Sequence, residues 1–146
     1  AELVDKYGVD IAALDTSRRE WGKKSVKILL YKAELLKRVE FYLNDRLALV
    51  TIPLSEIEAY SEQYNPAMLV LEELRNTENV DIAVAVKDYG NRITGKLRCN
   101  YTAVCDKIAE HFGGGGHPFA AGFKTRDWRI DELKKELIKV VKDKLS

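Results

Sequence analysis

Two histidines, His111 and His117, flank the tetrad Gly113-Gly114-Gly115-Gly116, which holds four of the chain's nine glycines. Glycine loses more conformational freedom on folding than any other residue, so an ordered run implies positive φ or close approach to a ligand. Gly113 is accounted for as the glycine that ends a helix. Gly114, Gly115 and Gly116 are not, and their bare N–H groups can converge on an anion as a nest. Pro118 restricts His117 to extended geometry and favours a helix starting directly after it. The loop would then end at a helix N-terminus, where N–H groups and dipole both favour phosphate. His117 can donate a hydrogen bond to the same oxygens. The alternative is a flexible turn with a solvent-exposed histidine. No Gly-Lys-Ser/Thr follows and G-x-G-x-x-G is absent, so this is neither a Walker loop nor a dinucleotide fingerprint. His111, beside Glu110, reads as a solvent-facing neighbour.

Arg98 is the second residue of interest, because a guanidinium on the open face of a strand grips phosphate bidentately. Thr94, Lys96 and Asn100 share that face, and Lys96 and Asn100 are further candidates. A surface salt bridge is the simpler alternative for Arg98. Tyr89, Tyr101, Phe119 and Phe123 lie close by in sequence, and any of them can stack on a base or pack in the core. Residues 87–126 hold seven basic and three acidic side chains, although the whole chain carries only +1. A basic segment containing the glycine tetrad points to a phosphate-bearing partner. Two histidines cannot build a His-rich metal cluster, and H-E-x-x-H, D-x-D and paired-Cys motifs are absent. No metal ligands and no catalytic residues are expected in this chain.

These residues need elements to hold them. Val80, Ile82, Val84 and Val86 alternate with Ala83 and Ala85, predicting a strand buried on both faces. After a turn at Gly90-Asn91, Ile93 to Asn100 alternates again, with Ile93, Leu97 and Cys99 inward and the polar set outward. Tyr101, Val104, Cys105, Ile108 and Phe112 recur at helical spacing with Asn100 as N-cap. Ala120–Thr125 is either a short strand or the end of a short helix. Ile130, Leu133, Leu137, Val140, Val141 and Leu145 make an amphipathic C-terminal helix. Earlier in the chain, residues 1–22 read as helical pieces broken at Gly8 and Gly22. Val26, Leu29, Leu30, Ala33 and Leu36 mark the apolar face of a helix from Ser25 to about Val39. Asn44-Asp45 is a turn before a strand over Leu47–Ile52. Pro53 ends that strand, Ser55 caps an acidic helix, and a further helix runs from Pro66 to about Arg75. The fold class is α/β, a mixed sheet flanked by helices in a single domain.

At 146 residues, 46% hydrophobic and 32% charged, the composition is that of a folded globular domain. The longest apolar runs, Ala67 to Leu71 and Ile82 to Val86, are five residues each, against about 20 for a membrane helix. No leader peptide is evident at Ala1. Cys99 and Cys105 fit neither a redox nor a zinc motif, so they read as buried free thiols in a reducing cytoplasm.

The stretch from Phe112 through Gly113-Gly114-Gly115-Gly116-His117-Pro118-Phe119-Ala120-Ala121-Gly122 to Phe123 resembles the GGGH…AAG signature of the DHH-associated domain, type one. This is the C-terminal half of DHH phosphoesterases such as nanoRNases, 3′-phosphoadenosine 5′-phosphate phosphatases and RecJ-like exonucleases. Lys96-Leu97-Arg98-Cys99-Asn100 is similar to that family's K-x-S-x-R-S strand, with Leu97 and Cys99 where serine is common. The resemblance implies a domain over 46–146 preceded by a helical connector over 1–45, together one compact unit. It implies that Gly114, Gly115, Gly116 and His117 hold substrate phosphate and that Arg98 binds the nucleotide backbone, with Gly113 and Ala121 as further candidates. It also implies an N-terminal Asp-His-His domain carrying manganese, which this sequence lacks; the missing initiator Met suits an excised half. The expected function is capture of a short oligonucleotide or nucleoside bisphosphate, without hydrolysis by this chain on its own. The alternative is a stand-alone RNA-binding module like the domain that ends alanyl-tRNA synthetases. His117 and Ala120-Ala121-Gly122 favour the phosphoesterase branch. The N-A-A-T run of cyclic dinucleotide phosphodiesterases is absent.

Overall fold

Alternating and doubly apolar segments of the sequence become the strands of one mixed sheet with helices on both faces. The structure, a computed structural model, describes residues 25–60 and 65–146. Its elements are α1 (Val26–Lys37), β1 (Glu40–Tyr42), β2 (Leu47–Pro53), α2 (Leu54–Tyr60), α3 (Pro66–Arg75) and β3 (Ile82–Asp88). They continue with β4 (Ile93–Cys99), α4 (Cys105–His111), β5 (Gly115–His117), β6 (Ala120–Thr125) and α5 (Ile130–Leu145). The strands lie in the order β1-β2-β3-β4-β6-β5. β2 and β3 run parallel, and every other neighbouring pair is antiparallel. This is the expected α/β class. The helical pieces expected over residues 1–22 fall outside the described residues. β1, on the connector side of the 45/46 boundary, pairs with β2 and so belongs to the sheet.

β3 shows why both faces must be covered. Ile82, Val84 and Val86 join Leu47, Leu49, Leu97 and Phe123 beneath α4 and α5. Ala83 and Ala85 join Ala48, Val50 and Ile52 beneath α1, α2 and α3. The two helical layers are unequal. The core under α1–α3 contains side chains of β2 and β3 but none of β4, β5 or β6. Among the described residues, that core leaves out the half of the sheet face that carries Thr94, Lys96 and Arg98, which are half-buried.

Several local expectations change. α1 forms where periodicity places it, with Ser25 Oγ accepting from the Ile28 N–H at 3.1 Å. It is turned the other way, however, burying Ile28, Tyr31 and Leu35 while Val26, Leu29 and Leu30 are exposed. Both stripes are apolar, and contact with α3 selects the one that carries Tyr31. α3 begins at Pro66 as expected; its cap is Asn65, whose side chain accepts from the Ala67 N–H at 3.1 Å. Ser55 lies inside α2 rather than at its cap, because the helix starts directly after Pro53. α4 starts at Cys105 with Val104 at its N-cap position. Asn100 does not cap it, because its amide donates to the carbonyls of Arg75 and Val80 at 2.6 and 2.8 Å. No helix follows Pro118. The chain turns there into a hairpin between β5 and β6, which makes Ala120–Thr125 a strand.

Cys99 and Cys105 are not free thiols. The end of β4 and the start of α4 bring their Cα atoms to 6.0 Å, and a disulfide joins them. The spacing hid this, because only the turn through 100–104 folds the chain back onto itself. The expectation of free thiols therefore gives no argument about the compartment. Among the described residues no helix is long and apolar enough to cross a membrane.

Candidate phosphate-binding site

Register gathers the polar residues of this half-face into rows. His117, Ala120, Arg98 and Ala83 are successive partners across β5, β6, β4 and β3. Gly115, Gly122, Lys96 and Ala85 form the next row, and Lys124, Thr94 and Lys87 the third. Alanines and glycines between the cations keep the floor low. At the step where the α3 layer ends, a hollow of about 470 Å³ opens, with Lys87, Thr94, Lys96, Gly114, Gly122 and Lys124 on its walls. That volume lies in the range of small-molecule sites. Arg98 and His117 lie beyond its rim, on the same face.

The tetrad is only partly explained by a ligand. Phe112 caps α4 and Gly113 follows at φ +85°, with its N–H donating to the Glu110 carbonyl at 3.0 Å. The Gly114 N–H donates to Ala109 O at 2.8 Å, which completes a Schellman motif. A Cβ at Gly114 would stand 2.1 Å from the Gly122 carbonyl oxygen. Gly116 has φ +143°, and a Cβ there would stand 2.8 Å from Ala121 Cα. Capping, close approach and backbone angle thus account for three of the four. A Cβ at Gly115 would meet nothing within 4 Å. Of the expected nest, the Gly114 N–H is already bonded, and Gly115 and Gly116 form an extended edge strand.

His117 is exposed, and its Nδ1 accepts from the Phe119 N–H at 3.1 Å. A neutral imidazole with an accepting Nδ1 carries its proton on Nε2, leaving an N–H donor for an anion. The hairpin turn behind it is held by the disulfide pair. The Cys99 N–H donates to Phe119 O and the Cys105 N–H to Pro118 O, both at 2.9 Å. Arg98 is half-buried and anchored by one donor to the Leu97 carbonyl at 2.9 Å, which leaves its other donors free to bind.

None of the ion pairs among the described residues involves Lys87, Lys96, Arg98 or Lys124. Burial, and after it the charge of Lys96, holds the Lys87 ammonium below its usual pKa. Elsewhere Lys32, Arg38 and Lys134 all reach a carboxylate within 2.8 Å. Asn100 and Ala121 are not on this surface. Asn100 ties α3 to β4, and Ala121 faces the core between Leu97 and Gly116. Lys87 and Lys124 were not singled out by sequence reasoning. Their only sequence signal was membership of the basic 87–126 segment, since pairing alone places them across Thr94. Among the described residues, no three His, Cys, Asp or Glu side chains come together as metal ligands.

The sequence profile of the DHHA1 domain matches residues 58–146, more than half of the chain. The chain belongs to the DHHA1 domain family. No curated protein sequence matches it significantly. The DHHA1 fold is similar to an exopolyphosphatase-related protein from Bacteroides fragilis, with a TM-score of 0.73 at 20% identity, covering 93% of this chain and 40% of that one. It is also similar to a pGpG-specific phosphodiesterase from Vibrio cholerae, with a TM-score of 0.54 at 16% identity, covering 80% of this chain and 39% of that one. The C-Ala domain of Aquifex aeolicus alanyl-tRNA synthetase is a looser match, with a TM-score of 0.49 at 18% identity, covering 74% of this chain and 97% of that one. At these identities the likeness is one of fold. This DHHA1 chain spans about two fifths of the length of the first two proteins.

Proposed function

We propose that this chain is the substrate-capturing half of a DHH-family phosphoesterase acting on short oligonucleotides or a nucleoside bisphosphate. The observation that carries this reading is the polar half-face itself. Among the described residues, four cations without carboxylate partners and one histidine with a free donor stand there on a floor of alanine and glycine. In this reading Arg98 and the Nε2–H of His117 hold a phosphate. Gly115 keeps the approach open, and Lys96 and the neighbouring lysines neutralise further charge. In this reading manganese belongs to the N-terminal Asp-His-His domain that the family resemblance implies. The contribution of this chain is binding and orientation, which convert an encounter into a positioned reactant.

The test is a titration of a dinucleotide into wild type, Arg98→Ala and His117→Ala, followed calorimetrically, with a phosphodiesterase assay on the same samples. Each substitution should weaken binding about 10-fold or more, the scale of a lost charge-assisted hydrogen bond. The isolated chain should show no turnover. Unchanged affinity in both variants removes the site, and chelator-sensitive turnover that His117→Ala abolishes removes the division of labour.

A further inference from the structure

The hollow on the binding face lies one row away from Arg98 and His117. It is lined by Lys87, Lys96 and Lys124, with Thr94 between two of them in register. Among the described residues, none of the three has a carboxylate partner. Lys96 makes a weak contact to Met68 Sδ at 3.9 Å. Like charges gathered around a concave, partly dry space repel each other, and that cost is relieved when an anion enters. Burial and the charge of Lys96 already act on Lys87 in this way. The Thr94 hydroxyl adds a donor that does not depend on charge. Lys96 and Arg98 are two residues apart on β4, roughly 7 Å along the strand. That is about one nucleotide step.

From this we infer that Lys87, Thr94, Lys96 and Lys124 form a second anion subsite, which takes a terminal phosphate of a ligand whose next phosphate lies at Arg98 and His117. The face then selects for nucleotides bearing two separated phosphates over those bearing one. The inference rests on the reading of Arg98 and His117 given above, and it adds the ligand's second charge and its position.

The probes are two dinucleotides, identical except that one carries a 5′-phosphate. Each is titrated calorimetrically into the whole 146-residue chain, into the double variant Lys87→Gln/Lys124→Gln and into Arg98→Gln. Circular dichroism and thermal unfolding confirm that each variant is folded. Wild type should prefer the 5′-phosphorylated ligand by about 10-fold or more. The double variant should lose that preference, whereas Arg98→Gln should weaken both ligands and retain it. Equal binding of the two dinucleotides by wild type overturns the second subsite and leaves the capture function standing. A preference that survives in the double variant also overturns it. Failure of wild type to bind either dinucleotide overturns both.

Discussion

The glycines of the tetrad differ in what a side chain would meet, so each substitution has its own consequence. Gly114→Ala drives a methyl group into the backbone of β6, and unfolding free energy should fall by about 1–3 kcal/mol in a denaturant titration. Gly115→Ala places its methyl group in open space, and its stability should stay within about 0.5 kcal/mol of wild type. The same Gly115 variant should bind a dinucleotide more weakly, because the added group stands on the ligand's side of β5. A Gly115→Ala chain that binds as wild type does would remove Gly115 from the site. His117 acts through its fixed tautomer: the Phe119 N–H occupies Nδ1, so it is Nε2 that can offer a proton.

Connections between elements decide where these residues stand. Asp81, buried just before β3, accepts from the Thr102 hydroxyl and N–H, the Tyr101 N–H and Arg46. Burial by itself would raise its pKa. The hydrogen bonds from Thr102, Tyr101 and Arg46 outweigh that and hold the carboxyl below its usual range. A depressed folded-state pKa gives stability that is present above the unfolded value of about 4 and lost as pH falls through the folded value. Asp81→Asn should therefore lower unfolding free energy near pH 7 by about 1–3 kcal/mol, with the difference from wild type shrinking in acid. A gap that stays constant down to the acid transition would contradict this account. The disulfide acts on the same connection. Its two cysteines stand six apart, and closing so short a loop is worth roughly 2 kcal/mol. Reduction, or Cys99→Ser with Cys105→Ser, should lower stability by about that amount in matched thermal melts. It should also weaken dinucleotide binding, since the turn bearing His117 hangs from the N–H groups of both cysteines. Identical melts with and without reductant would argue against the bridge.

For the whole molecule, the asymmetry of the two helical layers matters most. α4 and α5 cover one face of the sheet, while among the described residues the core under α1–α3 takes no side chain from β4, β5 or β6, and the cations of that half have no carboxylate partner. The proposed site is therefore small and charged, not an extended basic surface. Each phosphate neutralised on a single strand lowers log K by roughly 0.7 per decade of salt, so two subsites predict a slope near −1.4. A titration of the 5′-phosphorylated dinucleotide between low and moderate salt measures it directly. A slope of −4 or steeper with a longer RNA would instead indicate a tRNA-like footprint running past the hollow.

The sequence by itself determined the alternation of β3 and β4, the span of α3, the glycine at the end of α4 and the amphipathic α5. All of these depend on local spacing and on residues with narrow backbone preferences. It also placed Lys96, Arg98 and His117 on or beside one polar surface, since alternation in a strand fixes which way side chains point. Tertiary structure decided the rest. It chose between the two apolar stripes of α1, because burial depends on the partner helix and not on periodicity. It took Asn100 out of the site by satisfying its amide at Arg75 and Val80, and it closed Cys99 onto Cys105 through a turn that spacing does not reveal. It replaced the expected helix after Pro118 with a hairpin. It also brought Lys87 and Lys124, 37 positions apart in the chain, into one row through Thr94. Strand register is a long-range property, so a site built from three strands and the loop beside them can be read only once the sheet has formed.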